Sequence, residues 1–147
     1  MDAAGDQDGA MMIMTDRSRV LVIDDDPFMR QLVEAHLTRA GLAVDMASGG
    51  EDGVARAQAG MPSAIILDFA MPGMSGQAVL QRLRRDPRTA AIPVIVLSAW
   101  SSGEDKDRAL AQGATWLDKP IEAEVLVAAV ERLIRSRAGA GAHAARP

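Results

Sequence analysis

The chain of 147 residues has no cysteine, which excludes disulfides, thiolate metal sites and cysteine nucleophiles and suits a reducing compartment. No apolar run approaches the roughly 18 residues of a membrane span. The opening stretch, MDAAGDQDGAMMIMTDRSR, is acidic ahead of a short methionine-rich patch, whereas a secretory signal opens with positive charge and a longer apolar segment. The cytoplasm is therefore the expected location. Basic charge is not in excess either: sixteen Lys and Arg against twenty Asp and Glu leave a net charge of −4, which disfavours nucleic acid as a direct partner. Histidine is scarce, and His36 and His143 have no partner pattern, so they read as a helix-face residue and a tail residue.

What the chain does have is apolar mass. Hydrophobic residues make up 48% of it, enough to bury a core in a chain of one-domain size. The ends differ from the middle. Residues 1–17 are rich in Gly, Ala and Asp, and the stretch SRAGAGAHAARP from Ser136 lacks large apolar side chains. The expected organisation is a disordered leader over 1–17, a folded domain over 18–136 and a disordered tail over 137–147. Met11, Met12, Ile13 and Met14 form an apolar patch within that leader.

Inside the folded part, short apolar runs alternate with helical periodicity. The runs are 20–23 (VLVI), 42–46 (LAV and Met46), 64–67 (AIIL), 94–97 (VIVL) and 114–117 (ATWL), and four of the five lack polar alternation, as do strands buried on both faces of a parallel sheet. The first intervening helix has Asp26 placed as cap and Pro27 in its first turn, with Met29, Leu32, Val33, Leu37 and Ala40 on one face and Gly41 as its stop. The second starts with a capping-box pattern from Ser48 to Glu51. The third carries Val79, Leu80 and Leu83 and ends before Asp86 and Pro87. The fourth, over 104–112, has Ala109 and Leu110 as its inward residues and Gly113 as terminator, and the fifth has Val125, Leu126, Ala129, Val130, Leu133 and Ile134 at helical spacing. Five strand-helix units predict a doubly wound α/β fold: a five-stranded parallel sheet with helices on both faces.

In such sheets ligands sit at the carboxyl ends of the strands. The residues found there are Asp24, Asp25 and Asp26 after the first run, Asp68 after the third, Ser98 after the fourth and Lys119 beyond the fifth. Three adjacent carboxylates at a buried strand end repel one another unless they share a proton or hold a cation. An all-oxygen cluster suits Mg²⁺. An aspartate is also a competent nucleophile toward a phosphoryl group, whose oxygens a metal, a lysine and a hydroxyl can stabilise.

At this point the chain resembles a known family. VLVIDDDP, IILDFAMPGMSG, VIVLSAW and GATWLDKPI, in this order and spacing, are similar to the receiver domain of two-component response regulators, of the chemotaxis-regulator-like kind, over about Arg19 to Arg135. The resemblance implies the flavodoxin-like strand order 2-1-3-4-5 and a role for each matching residue. Asp68 falls on the phospho-accepting aspartate. Asp24 and Asp25 fall on the acidic metal-binding pair, with Asp25 the direct ligand, while Asp26 lies outside the pair as the helix cap. Ala70 would lend its backbone carbonyl to the Mg²⁺. Ser98 matches the switch hydroxyl, Lys119 the lysine that reaches the phosphoryl group, and Trp116 the switch aromatic. The bond before Pro120 is implied to be cis, aiming Lys119 into the site, and Met71, Pro72, Gly73 and Gly76 match the turn after the acceptor. An indole is bulkier than the more familiar tyrosine, which weighs against a fully buried position for Trp116. Ala70 and Trp100 occupy positions that influence acyl-phosphate hydrolysis, and the small residue opposite a large apolar one implies a moderate to long lifetime.

The expected activity is signalling rather than enzymatic. A histidine kinase or histidine phosphotransfer protein would donate to Asp68, altering the face formed by the fourth helix, fifth strand and fifth helix. With no second globular domain after Arg137 in this sequence, output would pass to a partner protein or to a homodimer, or, if the sequence is a piece of a longer chain, to the rest of that chain. Two rival readings accompany this one. A phosphatase of the haloacid dehalogenase kind would use Asp24 and Asp26 as its D-x-D pair, but Phe28 stands where a small or β-branched residue belongs, and a cap domain and a later acidic pair are missing from the sequence. A docking-only pseudo-receiver conflicts with the intact set of Asp24, Asp25, Asp68, Ser98 and Lys119.

Overall fold

The computed structural model describes residues 18–99 and 103–144, with side chains as far as 137. Five strands alternate with five helices: β1 (Arg19–Ile23), α1 (Pro27–Arg39), β2 (Ala43–Ala47), α2 (Gly50–Gly60), β3 (Ala64–Asp68), α3 (Gly76–Arg85), β4 (Val94–Ser98), α4 (Gly103–Ala111), β5 (Thr115–Asp118) and α5 (Ala123–Ala144). All strand pairs are parallel, in the order β2-β1-β3-β4-β5, the predicted doubly wound arrangement.

Alternation along each strand divides the core in two. Leu21, Ile23, Ile65, Leu67, Val94 and Val96 pack on one face with Val54, Val79, Leu80, Leu83 and Ala109. Val20, Val22, Ile66, Ile95 and Leu97 pack on the other with Val33, Leu37, Leu126, Ala129 and Val130. Both faces of β1, β3 and β4 are thus covered, which is why these runs show no polar alternation.

The helix ends show why the connections are tight. Oδ1 of Asp26 accepts a hydrogen bond from the N–H of Phe28 at 2.9 Å and caps α1; Gly41 and Gly113 follow α1 and α4 with positive φ. Arg84 clips the far end of the domain together: its guanidinium donates to the carbonyls of Gln112 at 2.8 Å, Ala90 at 3.1 Å and Ile92 at 2.9 Å.

Some local expectations are corrected. Gly49, not Ser48, is the N-cap of α2, and it makes no side-chain cap hydrogen bond; the capping box from Ser48 to Glu51 does not form. Leu110 and Val125 are exposed rather than inward, as is Leu32, because each lies at the margin of its helix's apolar stripe; Ala40, also exposed, is the C-cap beyond the end of α1. β2 and β5 begin one residue later than the apolar runs, and this shift brings Asp118 into β5. The backbone of α5 runs to Ala144, past the boundary at 137 expected between domain and tail. The leader patch Met11–Met14 and Trp100 lie outside the described residues.

Candidate functional site

Parallel strands of matched register end together, and that places the site. β1 and β3 are neighbours with Ile23 opposite Leu67, so Asp24, just past β1, stands beside Asp68, the last residue of β3. Ser98 ends β4 next to Leu97, the register partner of Asp68. On the next strand Asp118 pairs with Ser98, and the N–H of Lys119 donates to the Ser98 carbonyl at 2.8 Å. Four separate strand ends thereby converge on one sheet edge.

The side chains meet there as well. Carboxylate oxygens of Asp24, Asp25 and Asp68 all lie within 4.8 Å of one another. Nζ of Lys119 is 3.5 Å from Oδ1 of Asp68 and 3.7 Å from Oδ2 of Asp24. Asp24 and Asp68 are buried, whereas Asp25 is exposed at the rim. Oδ1 of Asp24 accepts from the N–H of Asp26 at 2.9 Å, and Oδ1 of Asp68 from the N–H of Ala70 at 3.3 Å. Burial pushes the Asp68 carboxyl up to about 6; repulsion from Asp24 adds to this, and the Lys119 ammonium and the Ala70 N–H oppose it.

These donors fit a hard divalent cation. All are oxygens, and ligands on opposite sides of Mg²⁺ stand about 4.2 Å apart, so atoms within 4.8 Å of one another are near enough to be drawn onto one ion. A cation would also relieve the repulsion that raises Asp68. The Ser98 hydroxyl is buried without a hydrogen-bond partner among the described residues, so it has a free donor at the same edge. The Lys119 to Pro120 peptide bond is cis.

The turn after Asp68 depends on glycine. Gly73 has φ +74°, and a Cβ on Gly76 would lie 2.5 Å from Cα of Phe69 and 2.9 Å from the Asp68 carbonyl oxygen. Only a hydrogen lets the start of α3 close against the strand end that carries Asp68. Trp116 is buried, contrary to the expectation drawn from its bulk: its ring meets Phe69 edge to face with centroids 5.2 Å apart.

Three residues at the site carried no recognisable sequence signal. Arg30 donates from Nη1 to the Asp24 carbonyl at 2.7 Å and holds the strand end. Phe69 supports Trp116. Asp118 accepts from the indole N–H of Trp116 at 3.1 Å. Phe69 meets a ring far along the chain, while Arg30 and Asp118 act on near neighbours through side-chain orientations that spacing alone does not reveal.

Comparison with known proteins agrees with this geometry. The response regulator receiver domain family matches residues 20–131. The chain is 43% identical over 118 residues to RpaA of Synechocystis, described as a DNA-binding dual master transcriptional regulator, covering 80% of this chain and 49% of RpaA. The response regulator PleD of Caulobacter vibrioides is 39% identical, with 26% of its length matched, so this chain spans half or less of these two relatives. PilH of Pseudomonas aeruginosa is 34% identical, and the match covers 80% of this chain and 98% of PilH. The structure of the chemotaxis protein CheY4 of Vibrio cholerae superposes with a TM-score of 0.74 at 34% identity, over 79% of this chain and 98% of CheY4. With strand order, acidic edge and sequence in agreement, the chain belongs to the response regulator receiver domain family, whose members are signalling domains of two-component systems rather than enzymes.

Proposed function

We propose that this receiver accepts a phosphoryl group on Asp68 from the phosphohistidine of a histidine kinase or phosphotransfer protein. A carboxylate oxygen of Asp68 forms the new O–P bond as the P–N bond breaks, and the donor imidazole leaves and takes up a proton. The observation that carries this reading is the grouping of buried Asp68 with Asp24, Asp25 and Lys119 within a few ångströms. Asp24, Asp25 and Asp68, with the carbonyl of Ala70, would hold Mg²⁺, which when bound supplies charge neutralisation for the phosphoryl oxygens. Lys119 attracts the same oxygens, and the unpartnered Ser98 hydroxyl donates to one of them. Ala70 offers only a methyl group, which cannot orient a hydrolytic water, in keeping with a moderate to long phosphoryl lifetime.

An apolar cleft of about 310 Å³, lined in part by Met29, Leu32, Val33 and Leu126, borders Lys119. Exposed Phe28 stands at the start of the same α1. This surface supports docking of the donor protein beside the cup. Output would use the face of α4, β5 and α5, where Leu110 and Val125 are exposed, toward a partner protein or a second copy, in the cytoplasm.

The test is incubation with acetyl phosphate and Mg²⁺, followed by mass spectrometry of the intact protein and mapping of the modified residue. One PO₃ unit per chain on Asp68, absent in Asp68→Asn, is the expected result. Modification at Asp24 with steady turnover of phosphomonoesters would instead assign a phosphatase. A protein left unmodified by acetyl phosphate and by phosphohistidine donors would be a docking module.

A further inference from the structure

Two contacts hold Trp116, and both lead back to the acidic cup. Its ring lies edge to face against Phe69, the residue after Asp68, with the ring planes at 72°. Its indole N–H donates to Oδ1 of Asp118, the residue before Lys119. Asp118 is itself the register partner of Ser98 across β4 and β5. Trp116 is therefore braced at two points, by the residue that follows Asp68 and by the residue that precedes Lys119.

The N–H contact is specific to this side-chain pair. Tyrosine or phenylalanine at 116 has no ring N–H at this place, and an apolar residue at 118 has no acceptor. A charge-assisted hydrogen bond at a partly buried site is stronger than its neutral equivalent, and it restricts the indole to one orientation. We propose that Asp118 is a positioning residue that latches Trp116 in its buried orientation, so that the equilibrium between receiver states depends on the Trp116–Asp118 bond. This deepens the reading in which Asp68 is the phosphoryl acceptor and rests on it. Phosphorylation and the latch act on the same indole from opposite ends: the cup through Phe69 and Ser98, the surface through Asp118. In the proposed reading Ser98 is the switch hydroxyl and Trp116 the switch aromatic, with the buried indole belonging to the phosphorylated state, so loss of the latch weakens ligand binding at Asp68.

The experiment uses Trp100→Phe as the background, which leaves Trp116 the sole tryptophan of the two in the chain. In that background Asp118→Ala, Asp118→Asn and Trp116→Phe are compared. Acrylamide quenching of Trp116 and titration with Mg²⁺ and beryllofluoride are read. Expected are a severalfold rise in quenching and about fivefold weaker beryllofluoride binding for Asp118→Ala, and near-parental behaviour for Asp118→Asn, whose amide oxygen still accepts the bond. Binding to Trp116→Phe is followed by displacement of radiolabelled acetyl-phosphate labelling, and adding Asp118→Ala to it is expected to cause no further loss, because the donor is already gone. Quenching and binding of Asp118→Ala equal to the parent would overturn the latch, as would an additional fivefold loss in the double variant. Failure of the parent to be labelled on Asp68 would sink the acceptor reading instead, and the parental controls separate the two failures.

Discussion

The ammonium of Lys119 stands 3.5 Å from Oδ1 of Asp68 and 3.7 Å from Oδ2 of Asp24. It is the cationic partner of two buried carboxylates that would otherwise face each other uncompensated. Removing it with Lys119→Ala leaves that repulsion in place and takes away a charge aimed at the incoming phosphoryl oxygens. The expected outcome is about a hundredfold slower labelling by acetyl phosphate, measured with Mg²⁺ held at saturation so that altered metal affinity does not contribute.

The raised Asp68 carboxyl makes a signed prediction about stability. Its folded value of about 6 exceeds the ordinary 3.8, so protonated Asp68 favours the fold below pH 3.8, and this contribution is lost as pH rises through 6. Asp68→Asn removes the charge at all pH. Without metal it should be more stable than the parent at pH 7 by about 1–2 kcal/mol, a figure reduced from the full shift because water reaches the cup. Denaturant melts from pH 4 to 7 should show the gap closing toward pH 4.

Mg²⁺ should stabilise the parent by binding the native state alone. Thermal melts are expected to shift upward with added Mg²⁺, and the shift should vanish in Asp25→Ala, whose exposed carboxylate contributes to the cluster without lying in the core. A shift of equal size in both proteins would remove Asp25 from the metal site.

Gly76→Ala tests the close approach behind Asp68. Its new methyl would meet backbone, with Cα of Phe69 at 2.5 Å, and backbone cannot rotate aside. A loss of about 1–3 kcal/mol in urea unfolding is expected, with slower labelling of Asp68 in the folded fraction.

Arg84→Ala tests the clip at the opposite end of the sheet. Three carbonyls, of Gln112, Ala90 and Ile92, lose their shared donor, at an expected stability loss of about 3 kcal/mol. Acetyl-phosphate labelling of the folded protein should be unchanged, since Arg84 lies away from the strand ends that carry the site.

Much of this protein was legible from its sequence because the governing rules are local and periodic. Unbroken apolar runs such as VIVL declared strands covered on both faces, and the residues directly after them marked the ligand edge, since parallel strands linked by right-handed crossovers end on one side. Asp24, Asp25, Asp68, Ser98 and Lys119 could therefore be grouped before any coordinate was known. Tertiary structure alone decided what depends on neighbours distant along the chain. The placement of Trp116 against Phe69, the exposure of Leu110 and Val125 and the three-carbonyl role of Arg84 follow from how the elements seat on one another. Periodicity states which residues share a face, but only packing determines how far along that face the covering extends.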